Sequence, residues 1–145
     1  MDYTALYPEI IVALFALALP AVNLLLKDNR FLAVVSLAGV GLSMLAVLMY
    51  YVEGLGPLAF DNGLLVLDDF SALFMLVFLA VAFVVILASA RYIEGEKHAA
   101  EYYSLILLAT LGMMLVAAAT DLFVLYSGIE ITSLSSYALV AFRKK

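Results

Sequence analysis

Residues 70–90 read FSALFMLVFLAVAFVVILASA, twenty-one positions without one charged side chain. An α-helix rises about 1.5 Å per residue, so this run reaches roughly the thickness of a bilayer's hydrocarbon core, about 30 Å. Backbone groups in lipid must bond within their own segment or in a closed barrel. Strict apolar–polar alternation is missing, the run is too long for a barrel strand, and Leu, Ala and Met abound along the chain. A spanning helix follows. Working outward, charge-free runs of similar size cover residues 10–26, 31–52 and 102–120, and a fifth, 122–142, is broken only by Glu130. The expected fold is all-α: a polytopic transmembrane bundle of five spans forming one domain over residues 1–145.

Composition agrees. The chain is 68% hydrophobic and 13% charged, and its mean hydropathy is +1.17. Soluble domains hold about 45–50% apolar and about 25% charged residues, so this excess has no soluble core to fill. No basic stripe of the kind nucleic acid requires is present. Cysteine is absent, which removes disulfides, iron–sulfur clusters and thiolate metal sites. The single histidine, His98, sits in the polar run EGEKHAAE and reads as a solvated loop residue. The chain is expected to carry no electrons on its own.

The leading residues MDYTALYPE bear Asp2 and Glu9 in place of the basic region of a secretory signal, so the first span is expected to stay in place. All seven Lys and Arg residues fall after spans one, three and five. The acids Asp2, Glu9, Glu53, Asp61, Asp68, Asp69 and Asp121 fall on the other side. The positive-inside rule then predicts an outside N-terminus and a cytoplasmic C-terminus. Pro8 suits a first helical turn, and Pro20 should kink the first span. Residues 53–68, EGLGPLAFDNGLLVLD, contain Gly, Pro and an Asn-Gly turn signal and predict a small outer hairpin or cap. Asp68 and Asp69 before span three, and Asp121 before span five, suit helix N-termini. Met113 and Met114 read as packing residues.

Glu130 lies about 3 Å from the midpoint of its span, reckoned along the helix. A charge at such a depth costs at least about 2.5–3.5 kcal/mol, so residues of this kind serve ions, protons or ligands more often than packing. At 100° per residue Tyr126, Ser127, Ser133 and Tyr137 share its side of the helix, giving one stripe of hydroxyls around one acid. Gly128, Thr132 and Ser135 gather on the opposite side, where small residues let a second helix come close. Desolvation favours the acid form of such a group and a nearby cation favours the ionised form. Every Lys and Arg lies outside the spans, so the cation must come from elsewhere. The structural alternative is a protonated Glu130 bonded to Ser or Tyr hydroxyls as packing glue.

Residues 102–142, YYSLILLATLGMMLVAAATDLFVLYSGIEITSLSSYALVAF, resemble the core of subunit N of respiratory complex I, the bacterial NADH–quinone oxidoreductase. The motifs that carry the resemblance are LLATLGMM, TDLFVLYSGIE and SLSSYALVAF, with LDDFSALF at residues 67–74. It implies a fourteen-helix, proton-translocating, antiporter-like subunit without a redox centre, of which this chain would be the N-terminal third. In that family a glutamate on the fifth helix pairs with a lysine on the seventh; Glu130 occupies the glutamate's position. The implied function is proton pumping through Glu130 in a multi-pass protein of the inner cell membrane; the helical stripe adds Ser127, Ser133 and Tyr137 as candidate support for the proton path. The implied partners are the other membrane subunits of the complex and the lipid bilayer. NADH, FMN, iron–sulfur clusters and quinone would belong to other subunits. A related cation/proton antiporter, membrane-bound hydrogenase or deazaflavin-dependent dehydrogenase would share the same core. A non-catalytic membrane scaffold is the alternative of another class.

Overall fold

The computed structural model describes residues 7–25, 29–54, 57–60, 65–93 and 98–142. They form, in chain order, α1 (Tyr7–Leu25), α2 (Asn29–Glu53), β1 (Leu58–Phe60), β2 (Leu65–Leu67), α3 (Asp69–Ser89), α4 (Ala99–Ala118) and α5 (Leu122–Val140). All five helices are long and apolar enough to cross a membrane. Each begins and ends within three residues of the expected span. Helices α1 and α4 each start three residues early, at Tyr7 and Ala99, and α1 so takes Glu9 into its first turn.

Burial follows helical stripes. Val12, Ala16 and Leu19 line the inner face of α1, and Ala72, Met75, Leu79, Ala82 and Ile86 do the same on α3. These spacings of three and four residues keep one face inward. The outward faces carry large apolar side chains such as Leu17, Leu24, Val52 and Val84, as suits contact with lipid. Helix α4 is the axis of the bundle, packed against each of the other four helices. Its fully buried Tyr103, Leu107 and Met114 form the centre of the core.

The first helix runs unbroken through Pro20. Proline has no N–H, so the carbonyl of Ala16, four residues earlier, loses its helical donor. The Oγ of Ser104 on α4 donates to that carbonyl at 2.6 Å. Such side-chain substitution is how spanning helices tolerate proline. A second hydroxyl, Ser43 of α2, donates to the carbonyl of Pro8 at 2.9 Å. Both neighbours of α1 are therefore bonded to its backbone.

Between α2 and α3 the chain forms the expected hairpin. Leu58 pairs with Leu67, Ala59 with Val66 and Phe60 with Leu65, while its turn, with the Asn-Gly pair, lies outside the described residues. Leu65 also bridges Ala119 at the end of α4. Asp68 caps α3: its carboxylate accepts from the Ser71 N–H at 2.9 Å, and Ser71 Oγ accepts from the Asp68 N–H at 2.9 Å. Asp121 caps α5 by accepting from the Phe123 N–H at 3.1 Å. The hairpin and these caps define one end of the bundle; Arg30 and Arg91 lie at the other.

Candidate functional site: the carboxylate of the fifth helix

Helix α5 stands at the edge of the bundle and packs on α4. The seam is made by glycine. A Cβ on Gly112 would collide with Thr132 Oγ1 and would lie 2.7 Å from the carbonyl oxygen of Gly128. A Cβ on Gly128 would lie 2.8 Å from the carbonyl oxygen of Gly112. The two backbones touch, which only glycine at both positions allows. The Thr132 hydroxyl bonds back to the Gly128 carbonyl of its own helix at 2.9 Å and reaches the Ala109 carbonyl of α4 at 3.4 Å, and Ser135 is buried further along. The predicted small-residue face of α5 is thus the one that meets α4. Its counterpart, Gly112, was not singled out in the sequence because a lone glycine in a spanning run has no pattern of its own.

With that face committed to α4, the opposite face turns outward. Glu130 is exposed there, beside Tyr126 and Tyr137, which are 62% and 70% exposed. The Tyr126 hydroxyl donates to Glu130 Oε1 at 3.0 Å. Because the two residues are four apart, they stand one above the other on the helix. The other hydroxyls of the predicted stripe are placed differently. Ser127 Oγ bonds back to the Phe123 carbonyl at 2.9 Å. Ser133 lines a shallow groove with Phe78, Met113, Val116, Ile129 and Thr132. Tyr137 shares the exposed side without a described bond to Glu130. Tyr126 is therefore the hydroxyl that the fold brings to the acid.

No Lys, Arg or His pairs with Glu130 among the described residues, and no three His, Asp or Glu side chains converge there into a metal-binding group. His98 sits at the head of α4, its Nδ1 3.3 Å from Glu101. Met114 is buried in the core and Met113 lines the groove, so both pack. Glu9 departs from expectation. Placed by the sequence before the first span, among the acids of the side without Lys or Arg, it is only 4% exposed, because α1 begins two residues before it and carries it into the bundle.

Comparison with known proteins follows the same outline. No family model matches the chain. It is 39% identical to NADH-quinone oxidoreductase subunit N 1 of Koribacter versatilis, over 99% of this chain and 30% of that protein. It is 37% identical to NADH-quinone oxidoreductase subunit N of Dehalococcoides mccartyi, over 94% of this chain and 28% of that protein. A shorter match, 48% identical over 54% of this chain and 16% of the relative, is to F(420)H(2) dehydrogenase subunit N of Methanosarcina mazei. Among solved structures, a chain of respiratory complex I from Thermus thermophilus superposes with a TM-score of 0.78 at 27% identity, covering 94% of this chain and 29% of that one. The chain spans about 30% of the length of the curated relatives it matches. Over nearly all its residues, the chain is similar to subunit N of NADH-quinone oxidoreductases, across about 30% of their length.

Proposed function

We propose that this chain supplies the first five helices of a proton-translocating subunit of an NADH–quinone oxidoreductase, and that Glu130 is its proton-binding group. The observation that carries this reading is the placement of Glu130. It lies mid-span, on the face of α5 turned away from α4, held by Tyr126 alone among the described residues. A carboxylate at that depth demands water or a cation. The relatives are about three times as long as this chain, so their further helices are the natural source of both. An approaching cation favours the carboxylate, and its retreat favours the acid, so its movement loads and releases one proton. One charge crossing 100 mV corresponds to about 2.3 kcal/mol, which sets the scale of coupling to electron transfer elsewhere in the assembly.

In this reading the chain is a non-redox part of the enzyme and is not catalytic by itself. NADH, FMN, iron–sulfur clusters and quinone are handled by partner subunits. The basic connections face the cytoplasm of an inner cell membrane, and the hairpin faces outward. Glu130→Gln in the assembled enzyme should depress proton translocation together with the quinone reduction coupled to it. Unchanged pumping and turnover in that variant would remove Glu130 from the mechanism.

The match to the Methanosarcina mazei protein favours a second reading, in which the same membrane core serves a deazaflavin-dependent dehydrogenase. The electron-input protein that copurifies separates the two: it oxidises NADH in one case and a reduced deazaflavin in the other. In the scaffold alternative, Glu130→Leu would assemble and pump as the unmodified protein does.

A further inference from the structure

A second acid, this one buried, has no Lys, Arg or His paired with it among the described residues. Glu9 is 4% exposed, and neither carboxylate oxygen has a hydrogen-bond partner. The helices packed on α1 are α2 and α4. The Ser43 hydroxyl of α2 is bonded to the carbonyl of Pro8, the residue before Glu9, which sets the level of the acid against the hairpin-side half of α2. The α1–α4 level is set by the bond between Ser104 and Ala16. Because the two helices run in opposite directions, Glu9 lies opposite the part of α4 near Leu111.

The charged and titratable groups on these elements are few. On α2, Tyr50, Tyr51 and Glu53 stand at the hairpin end and Arg30 at the basic end, with nothing titratable between Phe31 and Met49. On α4, Glu101, Tyr102 and Tyr103 stand at the basic end, with nothing titratable from Ser104 to Ala118. On α1 itself, Tyr7 is half exposed at the mouth of the bundle. The only cation on these three helices, Arg30, is at the far end. An ionised carboxylate without water, donor or cation is the costliest arrangement a buried side chain can adopt, and such groups neutralise by taking up a proton.

We propose that Glu9 is a proton-binding carboxyl, a second site in the hairpin-side half of the bundle, separate from Glu130. Its reaction is proton transfer alone. Water takes the proton as the acid's O–H bond breaks, leaving the carboxylate; the reverse step restores the acid, and no electrons move. The site rests on the burial of α1 and stands whether or not Glu130 pumps.

Infrared spectroscopy of the full chain in lipid vesicles tests it. At neutral pH the spectrum should contain the C=O stretch of a protonated carboxyl group that is lost in Glu9→Gln, kept in Glu130→Gln, and moved to a new frequency in Glu9→Asp. Exchange into D2O should shift the band, since a working site must trade its proton with water. A spectrum unchanged by both Glu9 substitutions would show an ionised or solvated side chain and overturn the proposal. A band that does not respond to D2O would overturn it too, by showing a sealed structural acid. Should Glu9→Gln fail to fold, the Glu9→Asp shift and the D2O shift decide the matter by themselves.

Discussion

The bond from Ser104 to Ala16 offers a sharp energetic test, because a proline created the need for it. Ala16 is 1% exposed, its carbonyl has no helical donor opposite Pro20, and Ser104 Oγ meets it at 2.6 Å. Leaving a buried acceptor unpaired costs about 1–3 kcal/mol. Hydroxyl bonds between membrane helices average about 0.6 kcal/mol and reach about 1.7. Ser104→Ala belongs at the upper end of the second range, about 1.5 kcal/mol, because water cannot replace the lost donor. In a Pro20→Ala background the new amide at position 20 serves Ala16, and the same change should cost about 0.5 kcal/mol or less. The coupling between the two sites is then about 1 kcal/mol, roughly a factor of five in the unfolding equilibrium. Four versions of the full chain, unfolded reversibly in mixed micelles and followed by circular dichroism, would measure it. Equal losses from Ser104→Ala in the two backgrounds would refute the idea that Ser104 repairs the damage done by Pro20.

Further substitutions probe two separate parts of the fold. Gly112→Ala should destabilise the chain by about 1–3 kcal/mol through overpacking and weaken cross-linking between cysteines placed on α4 and α5; Gly41→Ala, with nothing within 4 Å of its added carbon, should be neutral or mildly stabilising. Asp68→Ala removes the carboxylate that caps α3 and should cost about 1 kcal/mol, whereas Asp68→Asn keeps an acceptor and should cost less; hydrogen exchange at the Ser71 amide would show the difference as faster exchange in the alanine variant.

The spans were legible because lipid imposes a length and a polarity that few other environments require. Their ends were less so. A span drawn by charge begins at Ile10, after Glu9, but a helix begins where its hydrogen bonds do, at Tyr7. That difference of one turn hid a buried acid among those expected outside the spans. The caps at Asp68 and Asp121 were readable from local chemistry, as was the hairpin from its turn residues. The depth of Glu130 and the small-residue face of α5 followed from helical periodicity. Which hydroxyl reaches the acid did not, since an angular stripe cannot tell Tyr126, which bends to Glu130, from Ser127, which bonds its own backbone. Pairings between distant helices were also out of reach: Pro20 signals a missing donor, yet nothing local says that the replacement lies at Ser104.

The β-bridge between Leu65 and Ala119 has a geometric consequence for the acid on α5. Strand β2 leads through Asp68 directly into α3, while Ala119 stands three residues ahead of Leu122, where α5 begins. One short ribbon therefore serves as a common datum for the heads of two membrane helices. Measured from there, Glu130 hangs eight residues down its helix, about 12 Å along the axis. Swelling or thinning of the surrounding bilayer would move lipid past this plumb line without altering its length, so the elevation of the carboxylate is gauged by protein.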